Sequence, residues 1–257
     1  MKKKKLWILA AVVLAAAAVG ILTAAHDRPV EPIELEAPSQ DSPMGPRKTM
    51  NYDGHRYAFL ENGATYRIAD QVGQELGVLT GDILADAEAN GRKDLAATFA
   101  LGGRVRVLAG YDPRFRVAVE LEDRYYICEN VDVTGDGTPD LGDYLDTADF
   151  DETVKDVEIL DHMGLELLAH TEPGWLLDDL RRAEPAVLTD TDYAAIGQAQ
   201  REGKSFRVEF LLKDGTRFGF YLIPERNLAM VGDNKYTADL SQKEIFEGLD
   251  QGPLPMA

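Results

Sequence analysis

Cysteine is almost missing from this 257-residue chain, where Cys128 stands alone. No disulfide can form within it, no Cys-based zinc site can be built, and a disulfide-dense secreted scaffold is excluded. Cys128 sits in the run Tyr125-Tyr126-Ile127-Cys128 and reads as a small buried hydrophobe. Serine is nearly as scarce: Ser39, Ser42, Ser205 and Ser241 are the full set, and none occupies a Gly-x-Ser-x-Gly elbow. The histidines show no His-Glu-x-x-His spacing, and His26 and His55 have no neighbour in sequence to set up general-base chemistry. Asp161-His162 and His170-x-Glu172 read as surface groups near turns, with metal ligation as the alternative. Gly203-Lys204-Ser205 has Gln198 where a phosphate loop needs glycine, and it leads from helix into strand, the reverse of that motif.

Basic residues are also in short supply. Against 45 Asp and Glu there are 27 Lys and Arg, a formal charge of −18. Four of those lysines lie in residues 1–25, so the remainder carries 23 basic against 45 acidic side chains, a net −22. Such a surface repels nucleic acid and favours cations or basic partners. The apolar fraction of 45% is that of a globular chain with enough material for a real core.

Met1 is followed by four lysines and then by an uncharged run of 20 residues, Leu6 to Ala25. A positive start followed by an apolar stretch of spanning length reads as a signal anchor, with a membrane partner at residues 6–25 and the C-terminal part outside. Five residues at most then face the cytoplasm. Thr23-Ala24-Ala25 offers an imperfect cleavage site, so secretion after signal cleavage is the alternative. No cysteine near the end of the run is available for a lipid anchor. Residues 26–49 hold Pro29, Pro32, Pro38, Pro43 and Pro46 and read as an extended tether.

Beyond Met50 the pattern predicts an α+β fold: two small units of antiparallel sheet with a few packed helices. The first, residues 50–131, is mostly β. It begins with a hairpin, residues 56–60 and 64–68, turning at Asn62-Gly63. A helix over about 69–76, a strand at 104–108 and strands at 115–121 and 124–128 around Glu122-Asp123 follow. Residues 132–152 carry eight acids and no base and read as a linker. The second unit, 153–250, has strands at 154–160 and 165–170, helices at about 173–183 and 192–201, and a hairpin of 206–212 with 217–223 across Asp214-Gly215. A strand at 228–231 comes next. Ser241-Gln242-Lys243-Glu244 reads as a capping box opening a helix to about Leu249, with a tail at 251–257.

Tyr52-Asp53-Gly54-His55-Arg56-Tyr57, Leu108-Ala109-Gly110-Tyr111-Asp112-Pro113, Phe115-Arg116-Val117-Ala118-Val119 and the later stretch from Val157 to Leu180 resemble uncharacterised membrane-anchored or secreted envelope proteins of Gram-positive bacteria. The resemblance implies a location outside the membrane and is silent on activity.

One local pattern carries chemistry. Asp132-Val133-Thr134-Gly135-Asp136-Gly137-Thr138-Pro139-Asp140-Leu141-Gly142-Asp143 is similar to the calcium loops of EF-hands and dockerins. Calcium takes hard oxygen ligands, here Asp132, Thr134, Asp136, the Thr138 carbonyl, Asp140 and Asp143, with Gly137 at the sharp turn. Thr134, Pro139 and Asp143 depart from that pattern, and a strand enters the loop where an EF-hand has a helix. The alternative is a solvated acidic linker. Taken together, these features predict a non-enzymatic, membrane-tethered extracytoplasmic binding or scaffold module, with an envelope protein or other envelope component as partner and no nucleic acid. An extracytoplasmic hydrolase using carboxylates or a metal is the alternative.

Overall fold

Strand-forming runs dominate from residue 49 onward, and the chain pairs them into two large sheets. The computed structural model describes residues 29–40, 45–85, 93–133 and 137–249. In chain order the early strands are β1 (Glu34–Ala37), β2 (Thr49–Tyr52), β3 (His55–Phe59), β4 (Thr65–Arg67), β5 (Val72–Val78), β6 (Gly81–Asp82) and β7 (Ala96–Ala97). Then come β8 (Arg104–Leu108), β9 (Arg116–Leu121), β10 (Arg124–Val133), helix α1 (Leu141–Thr147), helix α2 (Phe150–Thr153), β11 (Val154–Leu160) and β12 (Leu167–Thr171). The remainder is α3 (Pro173–Arg181), β13 (Glu184–Pro185), α4 (Asp190–Arg201), β14 (Phe206–Leu212), β15 (Arg217–Ile223), β16 (Leu228–Val231), β17 (Asn234–Thr237) and α5 (Glu244–Glu247).

The first sheet runs β5-β8-β9-β10-β3-β2-β7-β6 and the second β12-β11-β14-β15-β16-β17-β13, while β1 and β4 form a separate ribbon. Only β6 with β7 is parallel among these pairings. The turn joining β9 to β10 has Glu122 at φ 52° and Asp123 at φ 61°. Two consecutive left-handed residues make the tight hairpin turn whose twist matches the flanking strands.

Unbroken apolar runs such as Val117-Ala118-Val119 and Tyr126-Ile127-Cys128 arise because β9 and β10 are covered on both faces. Val117, Val119, Tyr126 and Cys128 pack with Met50, Leu79 and Ala97 in one core. Ala118 and Ile127 face the other core, which they share with Val208, Phe210, Phe218 and Phe220 of the second sheet. In that sheet Phe210 lies opposite Phe218 and Val208 opposite Phe220, so the alternation of β14 and β15 delivers matched side chains to one face.

The α+β expectation of two small sheets is therefore corrected: the fold is mostly β, with sheets of eight and seven strands. Several elements differ with it. The expected helix near 69–76 is instead β5, because Gly73 and Gly77 disfavour helix and the segment pairs with β8, Val72 opposite Leu108. The expected hairpin at Asn62-Gly63 does not form. A single 3-10 turn ends there with Gly63 at φ 93°, and β4 leaves to pair with β1. Residues read as tether thus supply a strand, and Ile33 donates its backbone N–H to the Asp214 carbonyl at 2.8 Å. The acidic stretch read as a linker folds into α1 and α2, and it buries Leu141, Leu145, Ala148 and Phe150 in the shared core. Ser241 caps no helix: its N–H and hydroxyl donate to Asp179 Oδ2 at 2.6 and 2.7 Å, and α5 is a single turn. The signal segment at 1–25 and the tail at 251–257 lie outside the described residues. Among the described residues no helix is long and apolar enough to cross a membrane.

Candidate functional site

Arg116 is a charged residue flanked by the core side chains of Phe115 and Val117, and its guanidinium is completely buried. Its position in the β9–β10 hairpin sets it opposite Glu129, which accepts from Arg116 Nε at 3.0 Å and Nη2 at 2.6 Å, both on Oε2. Across the gap to the second sheet, Arg116 Nη1 donates to Thr216 Oγ1 at 2.6 Å and to Asp214 Oδ2 at 3.3 Å. The Tyr111 hydroxyl also donates to Asp214 Oδ2. The rings of Tyr111 and Phe115 lie 5.2 and 5.0 Å from the Arg116 guanidinium carbon.

Burial acts on each member of this cluster. It lowers the Arg116 pKa, but Glu129, Tyr111 and Asp214 together raise it further, so the guanidinium stays charged. Burial raises the Glu129 carboxyl above its ordinary value, with Arg116 pulling the other way. The Tyr111 phenol is likewise pushed well up by burial and stays protonated.

A cleft of about 730 Å³ opens over Glu129 between the two sheets. Ala58, Phe59, Leu60 and Tyr66 form its apolar side, and Arg207, Glu209, Thr216, Arg217 and Gly219 form the facing wall, with Arg47 near the rim. Its volume is that of a small-molecule site. The wall is an ordered charge array. Arg207 Nε donates to Glu209 Oε1 at 2.7 Å, Arg217 Nη1 donates to Glu209 Oε2 at 2.6 Å, and Arg217 also bonds Glu158. A second cavity, about 450 Å³ beside Lys204, Phe206 and Phe246, has only exposed carboxylates: Glu202, Glu225 and Glu247.

The residues singled out in sequence fall elsewhere. Of the calcium-like loop, Thr134 and Asp136 lie outside the described residues. Asp132 is the penultimate residue of β10, Thr138 is exposed, and Asp140 is the N-cap of α1, accepting from the Asp143 N–H at 3.0 Å. Asp132 and Asp140 both act on the Tyr236 phenol, which burial raises most and these two carboxylates raise further. No group of three His, Cys, Asp or Glu side chains converges among the described residues.

His162 Nδ1 meets Ser205 Oγ at 3.0 Å, but Ser205 is fully buried and out of reach of a substrate. His170 pairs with Asp156 at 3.1 Å. Lys204 pairs with Glu225, and Cys128 is buried, its thiol pKa pushed well up by burial. Trp175 Nε1 donates to Thr171 Oγ1 at 2.9 Å beside the shared core. Sequence reasoning passed over Arg116 and Glu129, yet a signal was present. They are lone charges in two apolar runs, equidistant from the Glu122-Asp123 turn, so the hairpin register pairs them. Nothing comparable marked Arg207, Glu209 or Asp214.

Set against protein-family models, curated proteins and solved structures, the chain matches none of them.

Proposed function

We propose that this chain is a membrane-tethered, extracytoplasmic binding module that holds a component of the cell envelope in the inter-sheet cleft without chemically changing it. The observation that carries the reading is the state of the cleft's charged groups. Glu129 and Glu209 are each engaged by arginines, so neither is poised against the other as a catalytic pair. Among candidate nucleophiles, Ser205 and Cys128 are buried, Ser241 is exposed but bonded to Asp179, and none of the three lines the cleft. The lysine block and the 20-residue uncharged run at the start support the tether and its outward orientation. The hydrolase alternative rests on Glu129, whose carboxyl is raised by burial at the edge of the cleft.

The test is thermal unfolding of the full chain in neutral detergent against a panel of small carboxylates, phosphates, amines, zwitterions and neutral glycans. Each mixture is then assayed for consumption of the added compound. Saturable stabilisation by at least one class, with the compound recovered intact, is the expected result. Turnover would replace this reading with the hydrolase, and no stabilisation by any class would remove the cleft as a binding site.

The proposal extends to calcium at the 132–143 loop as a stabiliser. Asp132 and Asp140 crowd one phenol, and a hard divalent ion would neutralise such carboxylates. Millimolar calcium should raise the unfolding temperature by several degrees where magnesium does not, and Asp136→Ala should abolish the rise. An equal rise in that variant would sink the loop assignment.

A further inference from the structure

Three features of the cleft narrow what it takes. The first is the pair of arginines. The two oxygens of Glu209 hold Arg207 and Arg217 side by side. Arg207 spends only Nε on a hydrogen bond among the described residues, which leaves both of its terminal nitrogens unused. Arg217 spends only Nη1, so its Nε and Nη2 are unused as well. Both side chains line the cleft, and adjacent guanidinium edges match the two oxygens of an oxyanion.

The second feature is how Arg207 is held. A Cβ added at Gly164 would stand 2.7 Å from Arg207 Cδ, and one at Gly219 would stand 3.0 Å from its Nη2. Two glycines thus clear the track along which this side chain lies, and Glu209 fixes its Nε. An arginine placed this way loses little freedom when it binds.

The third feature is Glu129. Both bonds from Arg116 go to Oε2, while Oε1 accepts from no described group, and the residue lines the cleft although it is only 9% exposed. With no described partner and no buried unpartnered side-chain atom among the described residues, Oε1 opens to the solvent of the cleft, the same space as the unused arginine donors. The cleft's own charges balance: Arg47, Arg207 and Arg217 against Glu61, Glu129 and Glu209. A net anion would enter against a chain carrying −18, whereas a neutral species with separated charges would not.

Resting on the binding-module reading, we infer that the cleft takes a small zwitterion, an amino-carboxylate of amino-acid or short-peptide size. Its carboxylate accepts from the free edges of Arg207 and Arg217, and its ammonium donates to Glu129 Oε1. The apolar side formed by Phe59, Leu60 and Tyr66 receives whatever hydrocarbon the ligand carries.

The experiment is calorimetric titration of the full chain in neutral detergent with leucylglycine, its C-terminal amide, its N-acetyl derivative, succinate and inorganic phosphate. Leucylglycine should bind saturably, and loss of either terminal charge should weaken binding roughly tenfold or more, the scale of one charge-assisted hydrogen bond. Arg207→Gln should weaken leucylglycine by a similar factor. Glu129→Gln, nearly isosteric, should abolish the preference for leucylglycine over its N-acetyl derivative. If that variant fails to fold, the amide and acetyl comparisons on the unaltered chain still decide.

Equal binding of all three peptides would overturn the inference, as would saturable binding of phosphate or succinate with none of leucylglycine. Stabilisation of the chain by a neutral glycan alone would overturn this inference and leave the binding module standing. Silence across every class would overturn both.

Discussion

Arg116→Ala should cost about 3–5 kcal/mol of folding free energy, because it strands Glu129 and Asp214 as buried carboxylates without their cation. A domain has about 5–15 kcal/mol in total, so the variant should unfold at far lower urea or fail to accumulate. The loss comes from the charges left behind more than from the ion pair itself. Arg116→Met combined with Glu129→Leu should therefore recover a good part of it. The pH dependence has a definite sign. Burial holds the folded Glu129 carboxyl above its ordinary value of 4.5, so the folded chain takes up this proton at a higher pH than the unfolded chain does. The deficit in Arg116→Ala should be largest above the folded pKa and shrink as pH falls toward 4.5. Urea midpoints at neutral and mildly acidic pH measure this; an equal deficit at both would show that Glu129 is not the stranded group.

Phe150→Ala is expected to match it, at about 3–5 kcal/mol, by a different route. Phe150 is fully buried, and its ring lies 5.3 Å from Phe115 of the first unit and 5.5 and 5.0 Å from Phe210 and Phe218 of the second sheet. Removing it opens a void among rings that have no way to collapse inward without leaving one sheet or the other. Both sheets should lose stability together. Because the side chain lies in the acidic stretch, a linker reading gives the opposite expectation, a change near zero.

That stretch shows why part of the fold was legible and part was not. The hairpin of β14 and β15 alternates cleanly because one face meets core and the other meets solvent or cleft. The Glu122-Asp123 turn was readable from the two strands it joins. By contrast, eight acids over residues 132–152 outweigh Leu141, Leu145 and Phe150 in any count of composition, yet those three apolar side chains face one core while the carboxylates from Asp140 to Glu152 are exposed. β5 carries neither clear period, and one of its glycines serves a close approach from outside the sheet pairing: an added Cβ at Gly77 would stand 2.7 Å from Leu95 Cδ1.

The candidate site divides in the same way. Arg116 and Glu129 are neighbours by hairpin register and so are implicit in sequence. Asp214 and Thr216 reach them from about a hundred residues away along the chain, through the contact between sheets, and no local pattern encodes that meeting. The glycine track of Arg207 joins Gly164 to Gly219 across the second sheet and is equally invisible to spacing.

Everything proposed for the cleft depends on the two sheets forming one folded unit. Differential scanning calorimetry of the full chain, beside Phe150→Ala, tests that most directly. A single transition is expected, with calorimetric and van't Hoff enthalpies in agreement, displaced intact to lower temperature in the variant. Two separated transitions, with only one of them moved by Phe150→Ala, would show two independent units and contradict a site built between them.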